Sequence, residues 1–455
     1  MPHHRRARSP PSRSNRRDGA AGPVPSAAAR RAQPVRPYPF GVKTRPREVP
    51  SDPDRAGAEA LDAADPLASF RDRFVVPDPD LIYLDGNSLG RLPARTAERL
   101  RGLIRDEWGG DLVRGWDHWV GDPTRVGDAI ARDIVGARPG EVVVSDSTTV
   151  NFYKLAAAAL AARPGRRVVV TDRDNFPTNR YVLEGLADAR DLEIRWIAAD
   201  PIEGPQPADV AAALDRDVAV VALSHVNYRS AAIADLAAIT AVAHDAGALT
   251  IWDLSHSAGS IPVDLDAAGA DLAVGCTYKY LNGGPGSPAF LYVRTALQAE
   301  LRNPIQGWFG REEQFAMAQG WTARAGIGAW LTGTPTILAL AAVEEGVGVV
   351  AEAGISAIRD KGIALTRSAI ALHDAWLAPL GFTLGSPRDD ARRGAHVAVR
   401  RGDARHLCAA LIQAGVVTDF REPDSIRLGL SPLTTSFADV RTAIERLRDL
   451  ASGGG

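Results

Sequence analysis

The chain has 455 residues, 45% hydrophobic and 24% charged, a composition for a globular protein of two or three domains. Residues 1–57 hold 13 of the 53 Lys/Arg but only 4 of the 55 Asp/Glu, so the remainder is acidic and nucleic acid is excluded as the main partner. Two widely separated cysteines, Cys276 and Cys408, exclude a disulfide framework and a zinc cluster and point to a reducing cytoplasm, and no apolar run predicts a membrane span.

In chain order, "MPHHRRARSPPSRSNRR" opens a stretch, residues 1–60, that reads as a disordered basic tail. A transit peptide and a true start further in remain open readings of the same composition. Order is expected from near Ala60. "DPDLIYLDGNSLGRLP" (78–93) reads as a strand, Leu81 to Leu84, running into a turn. Helices are predicted over 94–107 and 122–137, the second from Val126, Ile130 and Ile134 at helical spacing. "EVVVSDSTTVNFYKLAAAAL" predicts a strand entering a helix, with Ser145 to Thr149 as capping residues.

From there strands without polar alternation ("RRVVVTD", "EIRWIAA", "VAVVALSH", "LTIWD") are separated by helical stretches. That pattern predicts an α/β domain over 125–340, its mostly parallel sheet covered on both faces. Residues 341–453 predict a smaller α+β domain, with the segment 61–124 packing against it.

Ligands of such sheets bind at the carboxyl ends of the strands, and several candidate groups fall there. Asp253 ends "LTIW" and suits a cationic partner such as the protonated pyridine nitrogen of pyridoxal 5'-phosphate (PLP); a cap for the following turn is the competing reading. Lys279 follows the next strand and sits between Tyr278 and Tyr280, an apolar setting for a Schiff-base amine; taken alone it reads first as a surface loop lysine. "DSTTVN" offers hydroxyls and N–H groups at a helix N-terminus, suited to phosphate or to simple capping. Phe176 in "DNFPT" could stack on a planar ring or lie in the core.

In this order the residues resemble the kynureninase family of fold-type-I, class-V PLP enzymes. The resemblance rests on "YLDGNSLG" (83–90), "VVVSDSTTVN" (142–151), "LSHVNYRS" (223–230), "DLSHSAGSIPVDL" (253–265), "GCTYKYLNGGPG" (275–286), "GWFG" (307–310), "GTPTIL" (333–338) and "DFREPDSIRLGLSPL" (419–433). It implies a fold-type-I large domain with a seven-stranded, mostly parallel sheet, PLP as cofactor, no metal, and a homodimer with shared active sites. Carried over by motif, Lys279 binds the cofactor and acts as base. Asp253 pairs with its ring nitrogen, with His256 close by. Thr148 and Thr149 hold its phosphate, helped by Tyr278, and Phe176 stacks on its ring. Trp308 and Thr334 complete the pocket, partly from the second subunit. Arg427 binds the substrate α-carboxylate, and Trp116 lies against the substrate's aromatic group. Tyr278 is also a candidate proton donor.

The implied reaction is hydrolysis of L-kynurenine, or its 3-hydroxy form, to an anthranilate and L-alanine, a step of tryptophan catabolism. Four positions depart from the family pattern. Asn179 stands for a carboxylate and is expected to hydrogen-bond the cofactor's phenolic oxygen; Arg311, Ala329 and Thr434 replace His, Arg and Tyr. These departures motivate an alternative, a kynureninase-like PLP enzyme that transaminates or decarboxylates another amino acid. A cysteine desulfurase fits less well, because Cys276 is predicted in a strand and Cys408 in a helix.

Overall fold

A computed structural model describes residues 55–453. Its strands are β1 Ile82–Tyr83, β2 Val142–Val144, β3 Val168–Asp172, β4 Glu193–Ile197, β5 Val218–Ser224, β6 Leu249–Asp253, β7 Leu272–Gly275, β8 Phe290–Val293, β9 Thr383–Leu384, β10 His396–Arg400, β11 Val416–Val417, β12 Asp419–Arg421 and β13 Ser425–Gly429. Seven of them form one sheet in the order β2-β8-β7-β6-β5-β3-β4. Only β8 runs against its neighbours, β7 and β2, so the sheet is mostly parallel as the sequence implies.

Burial on both faces explains the unbroken apolar strands. Val142 and Val144 join one core cluster while Val143 joins the other. In β3, Val168 and Val170 likewise face one side and Val169 the other. A third cluster packs around a second sheet, β12-β13-β10-β9, which is antiparallel.

Several boundaries differ from the sequence reading. A helix, Arg55–Ala63, begins inside the stretch read as tail; residues 1–54 lie outside the described residues. The predicted 81–84 strand shrinks to β1, because it has a single partner, the equally short β11. The helix predicted over 94–107 spans Ala94–Gly102 and continues to Asp111 in wider π-type turns. The 61–124 segment touches both layers. Asp62 accepts the N–H groups of Phe437 and Ala438 at 2.8 and 3.0 Å, while Arg95 pairs with Glu345 and Glu352 on the long helix Ile337–Ala353.

That long helix also supports the loop after β7. A Cβ on Gly346 would lie 2.1 Å from the Leu281 carbonyl oxygen, two residues beyond Lys279. Gly346→Ala should therefore destabilise the protein by about 1–3 kcal/mol through overpacking. Gly185 is exposed within the helix Pro177–Arg190 and would meet nothing within 4 Å. Gly185→Ala should stabilise by about 0.5–1 kcal/mol through helix propensity. Urea unfolding of the two variants should give opposite signs; equal signs would refute the close approach at Gly346.

Candidate active site

The pocket opens where the sheet geometry predicts, at the carboxyl ends of β3, β5, β6 and the chain after β7. It encloses about 340 Å³ and is lined by Thr148, Thr149, Phe176, Asn179, Asp253, His256, Tyr278 and Lys279, together with Ser224, Tyr228 and Ser255. Eight of the residues singled out in the sequence thus meet in one cavity.

Each is held by a local cause. Asp253 is the last residue of β6; its Oδ1 accepts the Ser255 N–H at 2.8 Å and its Oδ2 accepts Asn179 Nδ2 at 2.8 Å. Lys279 is only 9% exposed, and its Nζ lies 2.9 Å from His256 Nε2. Burial, then the Lys279 charge, lowers the His256 pKa well below its ordinary value, so the imidazole is neutral. Gly284 and Gly286, with φ +89° and +71°, turn the chain after Lys279 in conformations other residues resist.

Tyr278 has its pKa raised, first by the adjacent Cys276 sulfur and then by burial, which keeps the phenol protonated. Phe176 is 37% exposed at the pocket and meets Tyr228 edge-on at 5.3 Å, so it is not a core phenylalanine. Lys279 Nζ lies 5.8 Å from its ring centre. Ser147 caps the helix Thr148–Ala161 by accepting the Val150 N–H. The first-turn N–H groups of Thr148 and Thr149 have no hydrogen-bond partner among the described residues, leaving donors for an anion.

Four sequence-predicted residues are not in the lining. Trp308 packs on Phe309 at 4.6 Å and on Phe315 at 5.8 Å, and Trp116 packs on Trp119 and on the same Phe309. Thr334 is exposed away from the pocket. Arg427 is 1% exposed, and its Nε donates to Asp419 Oδ1 at 2.8 Å. Its Nη2 contacts Asp419 Oδ2 and Ser88 Oγ, and its Nη1 the Tyr228 carbonyl. The Nε–Nη2 edge of the guanidinium is thus taken by Asp419, since a buried guanidinium requires a counter-charge. Asn179 also has a partner the sequence did not suggest: its amide donates to Asp253, a second donor for a buried carboxylate.

Several neighbours escaped the sequence reading. Ser224 ends β5, donates to Asn175 Oδ1 at 2.7 Å and lines the pocket; its place after "VAVVAL" was the available signal. His396 on β10 lies 5.5 Å from His256 with the rings tilted by 56°, and had no local signal, because tertiary packing alone brings the two together. Among the described residues no cluster of His, Cys, Asp or Glu could hold a metal ion.

The fold is that of PLP enzymes of the cysteine desulfurase type. The cysteine desulfurase CsdA of Escherichia coli superposes with a TM-score of 0.74 at 17% identity, covering 85% of this chain and 98% of that one. C-DES with glycine covalently linked to a PLP cofactor gives 0.71 at 18% identity, covering 82% and 100%. Sequence comparison narrows the class. The kynureninase of Pseudomonas fluorescens is 44% identical over 397 residues, 86% of this chain and 94% of that protein. The kynureninase of Burkholderia pseudomallei (strain 1106a) is 43% identical over 404 residues, 87% and 95%. Residues 358–447 match the kynureninase C-terminal domain. The chain belongs to the kynureninase family.

Buried histidines weaken the protein in acid, against the opposite contribution of Asp85 and Asp172, whose carboxyl pKa values burial raises to about 6. Burial lowers the pKa of His396 to about 3, with the Arg427 charge adding to it, and that of His225 to about 4. Both are depressed below the unfolded value, so the stability they contribute is full above about pH 6.5 and is lost as the pH falls toward the folded values. Each should remove about 1.4 kcal/mol per pH unit over that window. Urea unfolding followed from neutral to mildly acidic pH reads the net slope, and His396→Gln should lessen the loss toward acid. An unchanged slope in His396→Gln would refute the assignment.

Proposed function

We propose that this protein is a PLP-dependent hydrolase that cleaves the Cβ–Cγ bond of L-kynurenine, or of 3-hydroxykynurenine, to give an anthranilate and L-alanine. The observation that carries this reading is the Lys279 amine, held 2.9 Å from the neutral His256 in one pocket with Asp253. The high identity to curated kynureninases over most of their length gives no support to transamination or decarboxylation of another amino acid.

The residues present suit PLP. The partnerless N–H groups of Thr148 and Thr149 would take its phosphate, the exposed ring of Phe176 would cover one face, and the Asp253 carboxylate would meet its ring nitrogen. When bound, PLP supplies an electron sink conjugated to the substrate's Cα. Lys279 would hold the cofactor and is the base for the Cα proton. His256, kept neutral, stands within hydrogen-bond reach of the Lys279 amine. Water adds to the γ-carbonyl, the Cβ–Cγ bond breaks, and the anthranilate carboxylate leaves. Tyr278, kept protonated, is the donor for Cβ as it becomes the alanine methyl group. Arg427 would bind the α-carboxylate by exchanging contacts that its Nη atoms now make with Asp419, Ser88 and the Tyr228 carbonyl.

Trp116, Trp308 and Thr334 would act in the pocket of a second subunit. A homodimer is supported by the exposed apolar side chains Trp108, Leu112, Val113, Phe315 and Met317 near these residues in sequence. Two free, buried cysteines fit a reducing cytoplasm.

Purified protein loaded with PLP should convert L-kynurenine into equal amounts of anthranilate, followed by fluorescence, and alanine. Lys279→Ala should lower turnover by about 10²–10⁴-fold or more. PLP binding without anthranilate release would overturn the substrate assignment. Asn179→Leu removes a charge-assisted donor from Asp253 and should weaken PLP binding by about tenfold or more. Equilibrium titration of the apo-protein measures it, and unchanged affinity would show that Asn179 does not support Asp253.

A further inference from the structure

Lys154 has no part in the chemistry above, yet its side chain is completely buried in the helix whose first turn faces the pocket. Its ammonium donates to Asp146 Oδ2 at 2.7 Å, to the Trp330 carbonyl at 2.8 Å and to Ser145 Oγ at 3.3 Å. These three bonds use all three ammonium hydrogens. Burial lowers the Lys154 pKa, and the Asp146 charge acts against that shift.

Asp146 is where the chain turns from β2 into the helix. Its φ is +49°, in the left-handed region that a residue with a side chain enters only when held there. Five hydrogen bonds hold it, one of them from Ser145 Oγ to Oδ2 at 3.2 Å. Besides Lys154, Thr332 Oγ1 reaches Oδ1 and Oδ2 at 2.9 and 3.1 Å, and the Asp146 carbonyl accepts the Ala289 N–H at 2.8 Å. Asn151 Nδ2 ties the preceding residue by donating to the Ser145 carbonyl at 2.7 Å. The direction in which Asp146 leaves the strand fixes where Ser147 caps the helix and where Thr148 and Thr149 present their N–H groups.

We propose that Lys154 and Asp146, braced by Thr332, are positioning residues for the phosphate seat. They fix the geometry of an anion site that neither touches. A carboxylate next to that seat would otherwise repel a phosphate, and the Lys154 ammonium cancels its charge. This inference rests on the PLP reading, and it carries a consequence that a general loss of stability would not. The clamp should matter for a ligand with a phosphate and not for the same ring without one.

The test is equilibrium binding of PLP and of pyridoxal, which lacks the phosphate, to the full-length apo-protein. Lys154→Met should weaken PLP about tenfold or more and leave pyridoxal within about twofold. Thr332→Val leaves no charge unpaired and should weaken PLP by a few-fold with the same selectivity. It carries the test if Lys154→Met does not fold, which urea unfolding will reveal. Equal losses for both ligands, or no loss for either, would overturn the clamp while leaving the PLP reading intact. A wild-type protein that binds PLP no better than pyridoxal would overturn both.

Discussion

Parallel pairing of β3, β5, β6 and β7 brings their carboxyl ends to one edge of the sheet, and every other feature of the pocket depends on that constraint. Asp172, Ser224, Asp253 and Gly275 are the last residues of those strands. The chain must leave each strand through a turn, and the turns carry Phe176, His256 and Lys279 to the same place. The apolar strands are therefore the scaffold of the chemistry: their burial on both faces makes the strand ends rigid. The polar groups follow because backbone at a strand end has donors and acceptors the ladder no longer uses.

Around this edge, three of the deeply buried ionisable groups have an opposing group of their own. Asp253 has Asn179 and the Ser255 N–H, Arg427 has Asp419, and Lys154 has Asp146. Lys279 and His256 are the exception: the amine faces a neutral imidazole rather than a carboxylate. A lysine paired with a carboxylate is held charged and is a poor nucleophile. Lys279 differs in this from Lys154 and Arg427, each of which faces a carboxylate.

Much of this was legible in the sequence, and the limits have physical reasons. Asp253, Lys279, Thr148 and Phe176 could be assigned to strand ends, because strand ends follow from runs such as "LTIW" and "EVVV". The seven-stranded sheet followed from the family resemblance. What could not be read were contacts set by tertiary geometry. The amide of Asn179 turns to Asp253, 74 residues away, and Asp419 covers Arg427 from an adjacent strand. His396 reaches His256 from the antiparallel sheet, 140 residues on. Helix ends moved for a similar reason: the π-type turns after Gly102 belong to packing, and composition does not encode them.

The likeness to cysteine desulfurases sharpens the point about where function resides. The fold superposes well at 17% identity, so the sheet and its edge are common to enzymes of different chemistry. Desulfuration needs a thiol that can reach the substrate. Here Cys276 and Cys408 are both buried, and burial raises the pKa of each, which disfavours the reactive thiolate. Neither sulfur can serve as a mobile nucleophile, whereas a protonated phenol and a neutral imidazole stand beside the lysine. On this shared scaffold it is the groups around Lys279, rather than the sheet that carries them, that distinguish the site from one built on a reactive thiol.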